Sequence, residues 1–143
     1  MAIVVDQKQL AALRASRPPR PGVDIHDLLH AAEHARARGD IDEAERLLQE
    51  AVIADPNAPA VWSMIGGLED ELGSVSVARE AYRTALTLAD DDTVGLALAR
   101  LHASIGEWDD ALAVATHVVL SGRNEELRDA ATRLAAEVRE RKG

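Results

Sequence analysis

Gly39, Gly73 and Gly106 recur at intervals of 34 and 33 residues, and Ala44, Ala78 and Ala111 follow them at the same intervals. A unit of that length is one helix pair, too small to bury its own apolar face, so successive units stack and share a core. The spacing therefore predicts an all-α solenoid of antiparallel helix pairs. In such a fold function resides in a surface.

The middle copy is the clearest: Trp62, Ile65 and Gly66, then Gly73, Ala78, Tyr82 and Ala85, with Leu68, Leu72, Val75 and Leu86 between them. The first copy holds Leu28, Ala31, Ala32, Ala35, Gly39, Ala44, Leu48, Ala51 and Pro56, and the third holds Leu98, Ala99, Gly106, Trp108, Ala111, Ala115, Val118 and Val119. The order Trp, apolar-Gly, turn, Ala, aromatic, Ala resembles the tetratricopeptide repeat, over residues 25–122. The resemblance implies a right-handed superhelix, with an N-terminal arm and Pro-rich linker at 1–24, repeats at 25–58, 59–91 and 92–122, and a capping helix at 123–143. Two departures stand out. The family's first-helix tyrosine is replaced by Ala35, Glu69 and His102, and its second-helix aromatic survives only as Tyr82. Loss of one residue from the turn at Asp90, Asp91 and Asp92 accounts for the shorter second interval.

Packing physics leads to the same arrangement. Ala32, Gly66 and Ala99 in the first helices, and Ala44, Ala78 and Ala111 in the second, let paired backbones approach closely. Gly66 and Gly67 each cost about 1 kcal/mol in helix propensity, which close approach offsets at Gly66, the one on the packed stripe. Gly39, Gly73 and Gly106 suit left-handed helix ends, while Asp40 with Asp42, Ser74 with Ser76, and Asp109 with Asp110 supply acceptors for the next helix start. Asn124 is placed to cap a last helix to about Arg141, apolar on Leu127, Ala130, Ala131, Leu134 and Val138. Before the repeats, Asp6 to Ser16 has a short helical pattern with Leu10 and Leu13 on one side, and Arg17 to Gly22 reads as an extended spacer. Two readings of this arm stay open: a frayed tail, or Ile3, Val4, Val5, Leu10 and Leu13 folding back on the repeats or on a second copy.

Hydrophobic residues make up 47% of the chain but aromatics only 2%, with no Phe, so each ring carries a large share of the packing. The net charge of -9 argues against a nucleic-acid backbone or an anionic membrane as partner. No secretory signal or membrane span is expected, and the lack of cysteine fits a reducing cytoplasmic setting. The lean towards alanine and arginine associates with GC-rich bacterial genomes. No catalytic motif, phosphate loop or dinucleotide fingerprint is present, so no enzyme activity and no cofactor are expected.

Members of the resembling family bind ligands on the first-helix stripe that faces a concave groove. Carried onto this chain, that stripe comprises His26, Leu29, Glu33 and Arg36, then Ala60, Ser63, Gly67 and Asp70, then Thr93, Leu96, Arg100 and Ala103, with Arg128 or Arg133 extending it. Small groups line its middle, so Gly67 is a place where a ligand's backbone can approach, or a neutral weakness. The basic and amide-rich clamp that grips acidic chaperone tails in some members is missing, because these positions hold Leu29, Glu33, Ser63, Gly67, Leu96 and Arg100. The expected partner is a protein or peptide segment with apolar and mixed-charge groups. A small chaperone for an amphipathic client and a self-assembling, homo-oligomeric structural protein are the alternatives. His26, His30 and His34, four apart on one helix, form a second constellation that could hold a divalent metal. A straight line of imidazoles converges poorly for zinc, which favours a plain polar flank.

Overall fold

The computed structural model describes residues 3–143, and every regular element among them is a helix. The first compact unit, up to Leu88, contains α1 (Gln7–Ser16), α2 (Ile25–Ala37), α3 (Ile41–Ala54), α4 (Pro59–Glu71) and α5 (Val75–Leu88). The second, from Ala89, contains α6 (Asp92–Ser104), α7 (Trp108–Ser121) and α8 (Glu125–Lys142). Within the first unit α2 packs on α3, α3 on α4, and α4 on α5; within the second, α6, α7 and α8 pack on one another.

The three repeat turns share one geometry. Gly39, Gly73 and Gly106 have φ of 78°, 77° and 78°, a region that glycine enters without a Cβ penalty. Each turn closes with the same two bonds. The glycine N–H donates to Arg36, Asp70 or Ala103, and the next N–H reaches back five residues to the carbonyl of Ala35, Glu69 or His102. That is the Schellman motif, which satisfies carbonyls left over at the helix end. Helix starts are equally local: Asp24, Asp40, Asp91 and Asn124 each accept a backbone N–H from the first turn that follows. One expected cap is corrected. α7 begins at Trp108, so Asp109 and Asp110 lie inside its first turn, and the capping position belongs to Glu107, which makes no side-chain capping bond.

The α4/α5 pair shows why a glycine sits in mid-helix. A Cβ built on Gly66 would lie 2.5 Å from Cδ1 of Tyr82, so the tyrosine ring rests directly on the α4 backbone. On Gly67 a Cβ would meet only the Tyr82 hydroxyl, at 4.0 Å. These adjacent glycines should respond oppositely to one methyl group. Gly66→Ala is expected to destabilise by roughly 1–2 kcal/mol, because displacing a buried ring outweighs the propensity gain. Gly67→Ala is expected to stabilise by up to about 1 kcal/mol. Urea unfolding of both variants, followed by helical circular dichroism, checks the pair.

The N-terminal arm folds back onto α3. Ile3, Val5 and Leu10 are buried, and Gln49 of α3 binds the Val4 peptide group from both sides, accepting from its N–H at 2.6 Å and donating to its carbonyl at 3.4 Å. Arg14 donates to the Ile53 carbonyl at 2.9 Å, and Arg20 pairs with Glu50. In the second unit α8 lays its apolar stripe on α6 and α7. Leu96, Val118 and Ala131 form one buried cluster, and Ala99, Ala115 and Ala135 another. The all-alanine cluster lets the three backbones converge, which larger residues there would prevent.

Candidate functional site

Each unit presents its own part of the stripe. In the first, α2 and α4 are neighbours joined by Arg36, whose guanidinium forks onto Glu33 of its own helix and reaches Glu71 of α4 at 2.9 Å. The Arg36 hydrogen bond holds the Glu33 carboxyl below its ordinary range. On α4, half-buried Ser63 spends its hydroxyl on the Ala60 carbonyl, and half-buried Gly67 has only the Tyr82 hydroxyl near the place a side chain would occupy. Burial first, and then the charge of exposed Asp70, push the Tyr82 phenol up to about 12. The α2/α4 face thus holds internally paired charges around a small-residue saddle.

Two stripe residues lie elsewhere. Leu29 and Leu96 are buried at 9% and 3% exposure, and Leu96 sits in the α6/α7/α8 core, so neither forms an exposed lining. Their leucine side chains are needed for packing, which wins over display. His26, His30 and His34 are exposed along α2. The His30 and His34 rings meet edge to face at 4.7 Å, but no three His, Asp or Glu ligands converge there among the described residues.

In the second unit α6 and α8 border a cleft of about 180 Å³. Half-buried Leu134 supplies apolar surface over the buried Val138, Trp108 an aromatic wall, and Arg100, Arg141 and Glu137 the charges. Neither arginine is held in an ion pair among the described residues, unlike Arg36 and Arg46 in the first unit. Arg100 and Ala103 belong to the expected stripe. Arg128 and Arg133 do not line this cleft; Glu137 and Arg141 occupy the α8 side instead. Sequence reasoning placed Trp108 in the third repeat and Leu134 and Arg141 on the last helix but assigned none of them to a binding surface, because spacing does not say which side of a terminal helix meets its neighbour.

Residues 29–93 match the tetratricopeptide repeat family model. Among curated proteins, the chain is 33% identical over 97 residues to transcription factor tau subunit sfc4 of Schizosaccharomyces pombe and 37% identical over 87 residues to cellulose synthase operon protein C of Xanthomonas axonopodis pv. citri. These alignments cover 64% and 60% of this chain but only 10% and 6% of the relatives' lengths. Among solved structures, the Yersinia enterocolitica type III secretion chaperone SycD, in complex with a peptide of the translocator YopD, superposes with a TM-score of 0.72 at 15% identity, covering 83% of this chain and 95% of that one. A type III secretion complex from Aeromonas hydrophila gives 0.73 at 19% identity, with 93% and 89% covered. A thermophilic tetratricopeptide protein from Thermus thermophilus gives 0.61 at 23%, with 90% and 71% covered. With its Schellman-closed helix pairs and the Gly66–Tyr82 contact in place, the chain resembles the tetratricopeptide repeat over residues 29–93 and shares the all-α, helix-pair fold of these solved structures.

Proposed function

We propose that this protein is a non-catalytic peptide-binding module that takes an amphipathic partner segment, and that the α6/α8 cleft is its anchoring subsite. The carrying observation is the composition of that cleft: half-buried Leu134 and the Trp108 ring over a floor of buried Val138, and two arginines held in no ion pair among the described residues, in a chain whose net charge is -9. An apolar side chain of the partner packs on the leucine and indole, while a neighbouring acid meets Arg100 or Arg141. Glu137 on the same rim admits a basic group beside it, hence a segment of mixed charge. On the α2/α4 face, Ser63 and Gly67 leave room for a backbone to lie close. The SycD structure, which holds a translocator peptide, supports a chaperone-like duty for this shape of molecule. A cytoplasmic setting goes with this reading. No helix among the described residues is long and apolar enough to cross a membrane.

The test is an array of synthetic amphipathic peptides of mixed charge, with hits measured by fluorescence anisotropy. Arg100→Glu and Arg141→Glu should each weaken bound peptides by roughly tenfold, while Arg83→Glu on exposed α5 surface leaves them unchanged. Hits whose affinity ignores both cleft substitutions would remove this subsite from the proposal.

A further inference from the structure

The position that carries the family's first-helix tyrosine is buried in all three copies, yet it is filled by Ala35, Glu69 and His102. In the third copy the imidazole has unusual company. His102 is 1% exposed, and its Nδ1 lies 2.9 Å from Oε1 of Glu107 across the α6/α7 turn. Asp110, in the first turn of α7, joins them: one ligand atom from each of the three residues lies within 4.8 Å of the other two. Among the described residues this is where three potential metal ligands converge.

The matching turns of the other copies do not repeat this arrangement. At the position of Glu107 the first copy has Asp40, which caps α3 by accepting from the Glu43 N–H, and the second has Ser74. Glu107 forgoes the cap and turns its carboxylate to His102. At the position of Asp110 the first copy has Glu43, paired with Arg46, and the second has Val77. Of the two aspartates in the first turn of α7, Asp109 is taken by Lys142 of α8, whereas Asp110 joins no ion pair among the described residues.

We propose that His102, Glu107 and Asp110 form a binding site for a divalent transition metal, zinc by its ligand preference. One imidazole and two carboxylates suit zinc or its first-row neighbours, and their two negative charges balance the ion. Zinc bonded at about 2.0–2.1 Å places its ligand atoms roughly 3.3 Å apart, close to the His102–Glu107 separation. Rotation of the exposed Asp110 side chain closes the third side, and water completes the shell. Zinc here ties the last turn of α6 to the first turn of α7. Those two turns also carry Ala103, Ser104 and Trp108, so the ion braces one wall of the cleft described above.

Calorimetric titration of the chelator-stripped full chain with zinc chloride at about pH 7.5 tests the site, because proton competition is small there. One zinc per chain is expected, with a Kd of roughly 10 µM or tighter, and with affinity reduced at least about tenfold by Asp110→Asn and by Glu107→Gln. Both substitutions fall on partly or fully exposed side chains, so folding is retained. Replacing His26, His30 and His34 together by alanine should leave the isotherm unchanged. Zinc binding absent below about 1 mM, indifferent to Asp110→Asn and Glu107→Gln, or abolished by the α2 triple replacement would overturn the assignment.

Discussion

Trp62→Ala is expected to lower the unfolding free energy by about 4 kcal/mol, enough to consume much of the stability of a domain this size. The indole is wholly buried, and its Nε1–H donates to the Pro56 carbonyl at 2.7 Å, so the ring locks the α3–α4 connection as well as filling the core. Truncation removes the largest fully buried side chain in the molecule's described part. Nothing nearby can refill the space by rearrangement as a phenylalanine-rich core might, since the chain has no Phe and one Tyr. Trp62→Phe keeps most of the apolar volume and loses the hydrogen bond, so a loss nearer 1–2 kcal/mol is expected for it. Urea denaturation of the three proteins orders them. A loss below about 1 kcal/mol for the alanine variant would mean that the indole is not structural.

A buried carboxyl pair makes stability fall as pH rises through neutrality. Glu45 of α3 and Glu69 of α4 are 8% and 3% exposed, their carboxyls interact, and Oε1 of Glu69 has no hydrogen-bond partner among the described residues. Burial first, then the adjoining Glu69 carboxyl and its charge, raise Glu45 to about 7, and Asp42 on the same helix adds to the repulsion. The folded chain therefore keeps a proton that the unfolded chain releases near 4.5. That proton's stabilising contribution is complete below the unfolded value and is withdrawn as pH climbs through about 7. Between about pH 5 and pH 8 the wild type should lose on the order of 2 kcal/mol relative to Glu45→Gln, which keeps the shape and polarity without the charge. The exposed Glu33 and Glu43, both lowered by arginine partners, act with the opposite sign and in a more acidic window. Melting curves across this range read the difference directly. Parallel curves for wild type and Glu45→Gln would show that the pair carries no shared proton.

The helix pairs were legible because their signals are local. Gly39, Gly73 and Gly106 need only their own backbone angles, and Asp24, Asp40, Asp91 and Asn124 need only a first turn to cap. The candidate site was legible in part. Arg36, Ser63, Gly67, Asp70 and Arg100 lie on partly or fully exposed surface, but Leu29 and Leu96, on the same helical stripe, are drawn into packing. An angular position on a helix fixes a direction and not the distance to the next element. Trp108 and Arg141 reached the cleft only because α7 and α8 close around the end of α6.

Sequence alone determined the period, the helix ends, the place of Gly66 on the packed stripe and the apolar stripe of the last helix, since each follows from residues within a few turns of one another. Only the tertiary structure decided that the N-terminal arm lies on α3, that Glu45 meets Glu69, and that His102 faces Glu107 and Asp110. These depend on which side chains different helices bring within bonding distance, and that is set by packing across elements whose spacing along the chain carries no record of it.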